Sequence, residues 1–308
     1  MYTYLIRRIL TSVLVILGVS VLVFSIIHLV PGDAATAILG RQKVTAARVA
    51  ELRAQLGLDD PIPVQYARYL GNALRGDLGQ SIRNYVPVSK AIGEQLPSTM
   101  ALAAAALLVA LVAGFILGIA AALNQGSWLD SAIMSISVSG MSIPTFWLGL
   151  LLIMLFSVRL AWFPSISSDN SFAALVLPAL TLGLPEAAVV ARMVRAGMLD
   201  VLGREYVTVA RAKGLREHKV VLDHAMRNAL IPIVTFVGLQ TAYLLGGSAI
   251  VETLFARQGI GRLAVQSISN RDYPMVQGVV LVVAVIYVLI NTFTDILYTV
   301  LNPKIRLK

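Results

Sequence analysis

The sequence predicts an all-α, polytopic membrane protein with six transmembrane helices. Composition is the first observation behind this. Of 308 residues, 57% are hydrophobic and 13% are charged, whereas a soluble domain carries about 25% charged residues. The second is the continuity of the apolar runs. A membrane helix needs about 20 mostly apolar residues, and five segments meet that: 9–30, 101–123, 132–158, 230–251 and 275–301. They are continuously apolar rather than alternating, which argues against a β-barrel. The third is the placement of Lys and Arg, which divides the connecting segments into two classes.

Arg7 and Arg8 precede the first run, and Ala35-Thr36-Ala37 follows it in the manner of a leader-cleavage site. The run is too long for a leader's apolar region of 7–15 residues, so it is expected to stay as an anchor. Residues 31–98 are too mixed to span and too patterned for a linker. A helix is expected at 45–56, with Thr45 as N-cap and Gly57 as stop. A second is expected at 61–73, opened by prolines. This segment is either a lid that stabilises the spans or a docking surface for an external partner, since ordered loops of this size are usually functional. The third run contains Pro144. A weaker sixth run, 172–191, holds Pro178, Pro185 and Glu186, so it reads as a kinked span packed against protein.

Residues 192–228 form a basic inner loop. Within it Ala210 and Ala212 are small enough to let another protein approach closely. Gly214 can turn the chain sharply after a helix. A further helix is expected at 220–229, before Pro232. The rival reading is an ordinary basic loop that obeys the positive-inside rule.

With the N-terminus inside, the cytoplasmic pieces hold 13 Lys and Arg, and the short outer loops hold only Arg159, Arg257, Arg262 and Arg271. Both termini are therefore expected in the cytoplasm, with 31–98 outside. The net charge of +9 follows from this distribution and does not call for a nucleic-acid partner. There is no cysteine, hence no disulfide framework or thiolate site. The three histidines show no metal-ligand spacing. There is no phosphate loop of the Gly-x-x-x-x-Gly-Lys-[Ser/Thr] kind and no His-Glu-x-x-His. A secondary transporter working alone would favour inverted repeats and mid-membrane charges; no internal repeat is visible. Ser142, Gln240 and Tyr243 are candidates to line a path, although polar groups in spans more often bond a neighbouring helix. Asn291 and Asp295 read as packing or subunit contacts, and Glu186 as an anchor at the inner end of its span.

The inner loop resembles the coupling motif of ATP-binding-cassette importer permeases. Thr208-Val209-Ala210 stands where the broad pattern has Glu-Ala-Ala, Gly214 matches its glycine, and Ile231-Pro232 its closing pair. Thr-x-Ala-Arg-Ala-Lys-Gly-Leu is how the peptide-permease branch writes it. His28-Leu29-Val30-Pro31-Gly32-Asp33, Gly76-Asp77-Leu78-Gly79 and Ser142-Ile143-Pro144-Thr145-Phe146 are similar to the first subunit of dipeptide and oligopeptide permeases. So are Arg271-Asp272-Tyr273-Pro274 and Asn302-Pro303-Lys304-Ile305-Arg306.

The resemblance spans nearly the whole chain. It implies one permease domain over 1–308 with the type I importer fold, in a bacterial or archaeal cytoplasmic membrane. The implied partners are a second homologous permease, two ATPases that carry the ATP and Mg, an extracytoplasmic substrate-binding protein and membrane lipid. This chain would bind no cofactor and perform no catalysis. Thr208, Ala210, Arg211, Ala212, Lys213, Gly214 and Leu215 would meet the ATPases. The implied cargo is a di- or oligopeptide; nickel, glutathione and oligosaccharide importers share the scaffold.

Overall fold

In the computed structural model the described residues are 2–29, 59–167, 171–214, 216, 219–220, 238, 240–241, 243–244, 246 and 248–301. They are helical almost throughout, and the pairing of Gln80 with Pro87 is an isolated bridge. Helix α1 covers Tyr2–Leu29, α2 Ile62–Leu74 and α3 Val88–Leu123. Helix α4 covers Trp128–Ser142, and α5 covers Thr145–Leu152 and continues as a π-helical turn, Ile153–Arg159. Then come α6 (Phe172–Leu202), α7 (Glu205–Ala212), α8 (Ile260–Ser269) and α9 (Tyr273–Leu301).

Helices α1, α3, α6 and α9 are each long and apolar enough to cross a membrane, and the bent pair of α4 and α5 would make a fifth span. The expected fifth run, 230–251, starts outside the described residues, as do the expected helices at 45–56 and, from residue 221 on, at 220–229. The helix expected at 61–73 is α2, with Pro61 at its N-cap.

Two elements depart from the expected spans. The run 132–158 is not one helix: α4 and α5 meet at 107°. Pro144 has no N–H to continue α4 and disfavours helical geometry in the residue before it. Ile143 is accordingly extended, at φ −80° and ψ 124°. The run 172–191 is longer than expected. Helix α6 continues through Arg192 and Arg195 to Leu202, so the first part of the expected inner loop, residues 192–202, is helical and continuous with the span. Pro178 and Pro185 stay inside the helix, where packing against neighbours compensates for their missing donors.

The chain divides into two compact units. The first comprises residues 1–97 and 258–289. Val88, Ile92, Ile260, Met275 and Val279 form its core. Tyr66 on α2 shares a 2.7 Å hydrogen bond with Ser20 on α1, and the Phe24 ring meets Tyr66 edge-on. Burial, with Tyr66 nearby, pushes the Tyr69 phenol up to about 12. The turn 80–87 is held by Asp272, whose carboxylate accepts from Ser81 Oγ at 2.5 Å and from the Ile82 N–H at 3.2 Å.

The second unit comprises 98–257 and 290–308. Here α3 and α6 approach closely because glycine leaves room. A Cβ on Gly114 would lie 2.6 Å from Val190 Cβ, and one on Gly118 would lie 2.6 Å from the Ala191 carbonyl. A Cβ on Gly183 of α6 would likewise lie 2.6 Å from the Ala106 carbonyl. Small residues at such a contact let two backbones pack without a hydrophobic driving force. A buried Glu252 accepts a hydrogen bond from Thr99 Oγ1 at 2.7 Å.

Candidate coupling surface and translocation path

The segment expected to meet the ATPases is built on the end of α6. Gly203 closes that helix, and Arg204 folds back to Asp200 at 2.8 Å. The chain then re-enters a helix at once. Glu205 lies in the first turn of α7 and Arg211 in the last, the polarity that a helix dipole favours.

Three-residue spacing puts Val207 and Ala210 on one face of α7. Both are buried against Ala122, Val190, Val194, Met198, Val201 and Val220. Burying a valine fully stabilises by about 1.5–3 kcal/mol, so α7 is seated firmly on α3 and α6. The opposite face is open: Tyr206 is 43% and Val209 52% exposed, and Thr208, Arg211, Ala212 and Lys213 are exposed as well. The helix ends where Gly214 turns to φ +76°, with its N–H on the Arg211 carbonyl at 2.9 Å. A residue with a Cβ is strained there.

The expected coupling set therefore splits. Ala210 lies on the buried face of α7, in this chain's own core. Thr208, Arg211, Ala212, Lys213 and Gly214 lie at the surface, and Leu215 is outside the described residues.

The three candidate path residues are not joined to one another by hydrogen bonds among the described residues. Ser142 ends α4 at the bend, exposed, with its hydroxyl donating to the Val138 carbonyl at 3.2 Å. Tyr243 is 62% exposed. Gln240 instead donates through its amide to Glu186 Oε2 on α6. That bond gives the buried Glu186 carboxylate a partner from the fifth run.

One strong feature escaped sequence reasoning. Arg195 grips Asp130 with two bonds, Nε to Oδ1 at 2.6 Å and Nη2 to Oδ2 at 2.7 Å. This fork-on-fork geometry is the strong form of a charge-assisted bond. Asp130 also accepts from the Gly126 N–H at 3.1 Å, and its own N–H bonds Ser127 Oγ at 3.3 Å. The Ser127-x-x-Asp130 pattern was a legible helix-start signal; the partner 65 residues away was not. The pair locks the start of α4 to α6 near the seat of α7. Among the described residues no cluster of three potential metal ligands occurs.

Comparison with known proteins extends this geometry. The family described as "Binding-protein-dependent transport system inner membrane component" matches residues 114–307, and its N-terminal companion matches residues 1–103. The glutathione transport system permease protein GsiC of Pectobacterium atrosepticum is 45% identical over 308 residues, covering 100% of both chains. Its counterpart in Escherichia coli K12 is 45% identical over 309 residues with the same coverage. Among solved structures, the inward-facing MetNI methionine ABC transporter matches with a TM-score of 0.57 at 24% identity, over 68% of this chain and 96% of that one. An amino acid ABC transporter matches at 0.51 and 17% identity, over 69% and 92%. These two likenesses concern the fold.

Proposed function

Because the chain belongs to the binding-protein-dependent transport system inner membrane components, and is a multi-pass permease subunit of an ATP-driven importer of that kind, we propose that its cargo is a short peptide, with glutathione (itself a tripeptide) the first candidate. The full-length 45% identity to glutathione permeases carries this reading. The scaffold calls for a second permease, ATPases and an external substrate-binding protein. ATP and Mg belong to the ATPases, and this chain acts without catalysis. The exposed face of α7, from Tyr206 to Gly214, is the surface offered to an ATPase. Its buried face links that contact to α3 and α6, so ATP-driven closure reaches the spans as rigid-body motion. Ser142 and Tyr243 border the path.

The cargo is tested with the complete importer in proteoliposomes, its own binding protein supplied outside. ATP-dependent uptake of glutathione or trialanine is expected. Uptake restricted to nickel or to an oligosaccharide would replace the peptide reading.

Orientation is tested separately. With both termini cytoplasmic, a cysteine introduced at Arg53 should react with an impermeant maleimide added to whole spheroplasts, and one at Lys213 should react only after lysis. The chain has no native cysteine, so each signal has one source. The reverse pattern would invert the topology.

A further inference from the structure

A cavity of about 410 Å³ lies between α4 and α6. Met134, Met141, Val189 and Met193 line it, together with Arg192 and Arg195. The two arginines differ. Arg195 is committed to Asp130 through both arms of its guanidinium. Arg192 is exposed, and among the described residues its partner is a thioether, with Nη1 donating to Met141 Sδ at 3.3 Å. A guanidinium has five N–H donors, and a thioether sulfur is a weak acceptor. Among the described residues no oxygen acceptor takes up the remaining hydrogen-bonding capacity of Arg192.

Its position makes that capacity informative. Arg192 follows Phe172 by about 30 Å of helix, close to the thickness of a hydrocarbon core. It therefore stands at the inner end of the span. Ionisable groups on spans face a bundle interior or a water-filled cavity and mark substrate pathways. The guanidinium reaches the last turn of α4, where Pro144 supplies no N–H and Ile143 turns away, so carbonyls of that turn lose their helical partners. A cation rests well beside that negative helix end. These partners are neutral and weak, and a carboxylate would displace them with a charge-assisted, two-armed pair. The flexible, polarizable methionines suit side chains of varied shape.

We propose that Arg192 receives the carboxylate of the peptide cargo at the inner end of the translocation path, with the methionine-lined cavity holding the adjacent side chain. This rests on the reading of the cargo as a short peptide. The permease then contributes its own selection for free-acid peptides, beyond that of the external binding protein.

The test compares trialanine with its C-terminal amide. The complete importer is reconstituted as wild type, Arg192→Gln and Arg192→Lys. Because each peptide is referred to its own wild-type rate, selection by the binding protein cancels. Arg192→Gln should lower free-acid uptake about tenfold more than amide uptake, and Arg192→Lys should restore part of the difference. Equal losses for both peptides, or no loss, would overturn the proposal. The same vesicles are prepared with and without phosphatidylglycerol. A defect that disappears with the anionic lipid would assign Arg192 to a lipid phosphate and also overturn it. Binding is measured in parallel on the detergent-solubilised complex without the binding protein. There Arg192→Gln should weaken labelled trialanine, and not its amide, by about tenfold. If the wild type imports neither peptide, the cargo reading fails, and this binding measurement still decides the role of Arg192: weakening confined to the free acid supports it, and unchanged binding overturns it.

Discussion

An importer carrying Ala212→Glu should lose ATP-driven uptake almost completely while the permease itself still folds. Ala212 is the last residue of α7 and lies on its exposed face. Glutamate there adds bulk and negative charge between the exposed Arg211 and Lys213. It also places negative charge at the C-terminal end of a helix, where the dipole disfavours it. Neither change touches the core beneath. Ala210→Glu, two residues earlier, should fail differently, because it drives a carboxylate into the cluster around Val194 and Met198. An uncompensated buried charge costs about 3–5 kcal/mol, so that variant should lose thermal stability before any question of coupling arises. Gly214→Val falls between the two. Nothing crowds a Cβ at Gly214, but the left-handed backbone costs a non-glycine residue about 1–2 kcal/mol. The measurements are recovery of the ATPases with a tagged permease and melting of the purified permease. Normal uptake by Ala212→Glu would move the coupling contact off α7.

Gly118→Leu should prevent the permease from accumulating. The new Cβ would meet the Ala191 carbonyl and Val194 Cβ, both at 2.6 Å. One contact is with backbone inside a helix and the other with a branch point, so neither can swing aside. Gly114 faces the same obstruction one turn away, at Val190. Helices α3 and α6 would have to separate along that contact, taking with them the floor on which α7 sits. Overpacking costs about 1–3 kcal/mol per site, occasionally more, and leucine at a helix crossing belongs at the upper end. Gly93→Ala on α3 is the control. Its added Cβ meets nothing within 4 Å, and alanine is favoured over glycine in a helix by about 0.5–1 kcal/mol. Membrane-fraction yield and melting temperature should drop for Gly118→Leu and hold or rise for Gly93→Ala. Equal yields would mean that the α3–α6 contact is not what holds this unit together.

What the sequence by itself determined is what local chemistry determines. Unbroken apolar runs required helices that cross a membrane, because lipid offers backbone groups no other partners. Pro61 opened α2, Pro144 interrupted the third run, and Gly214 closed α7 at a positive φ. Each of these is dictated by the bonding and steric limits of the residue itself.

The tertiary structure decided which side chains meet. Ala210 and Ala212 read alike as small residues of one segment, yet helical geometry turns Ala210 inward and leaves Ala212 outside. The amide of Gln240 meets the carboxylate of Glu186, 54 positions earlier in the chain. Asp130 and Arg195 are separated by 65 positions, and only the packing of α4 on α6 brings them together. The same packing consumes Arg195 and leaves Arg192, three residues before it, resting on a sulfur. Hydropathy and helix signals act over a few residues. Such pairings depend on where helices cross, which here is set by Gly114, Gly118 and Gly183 allowing two backbones to touch.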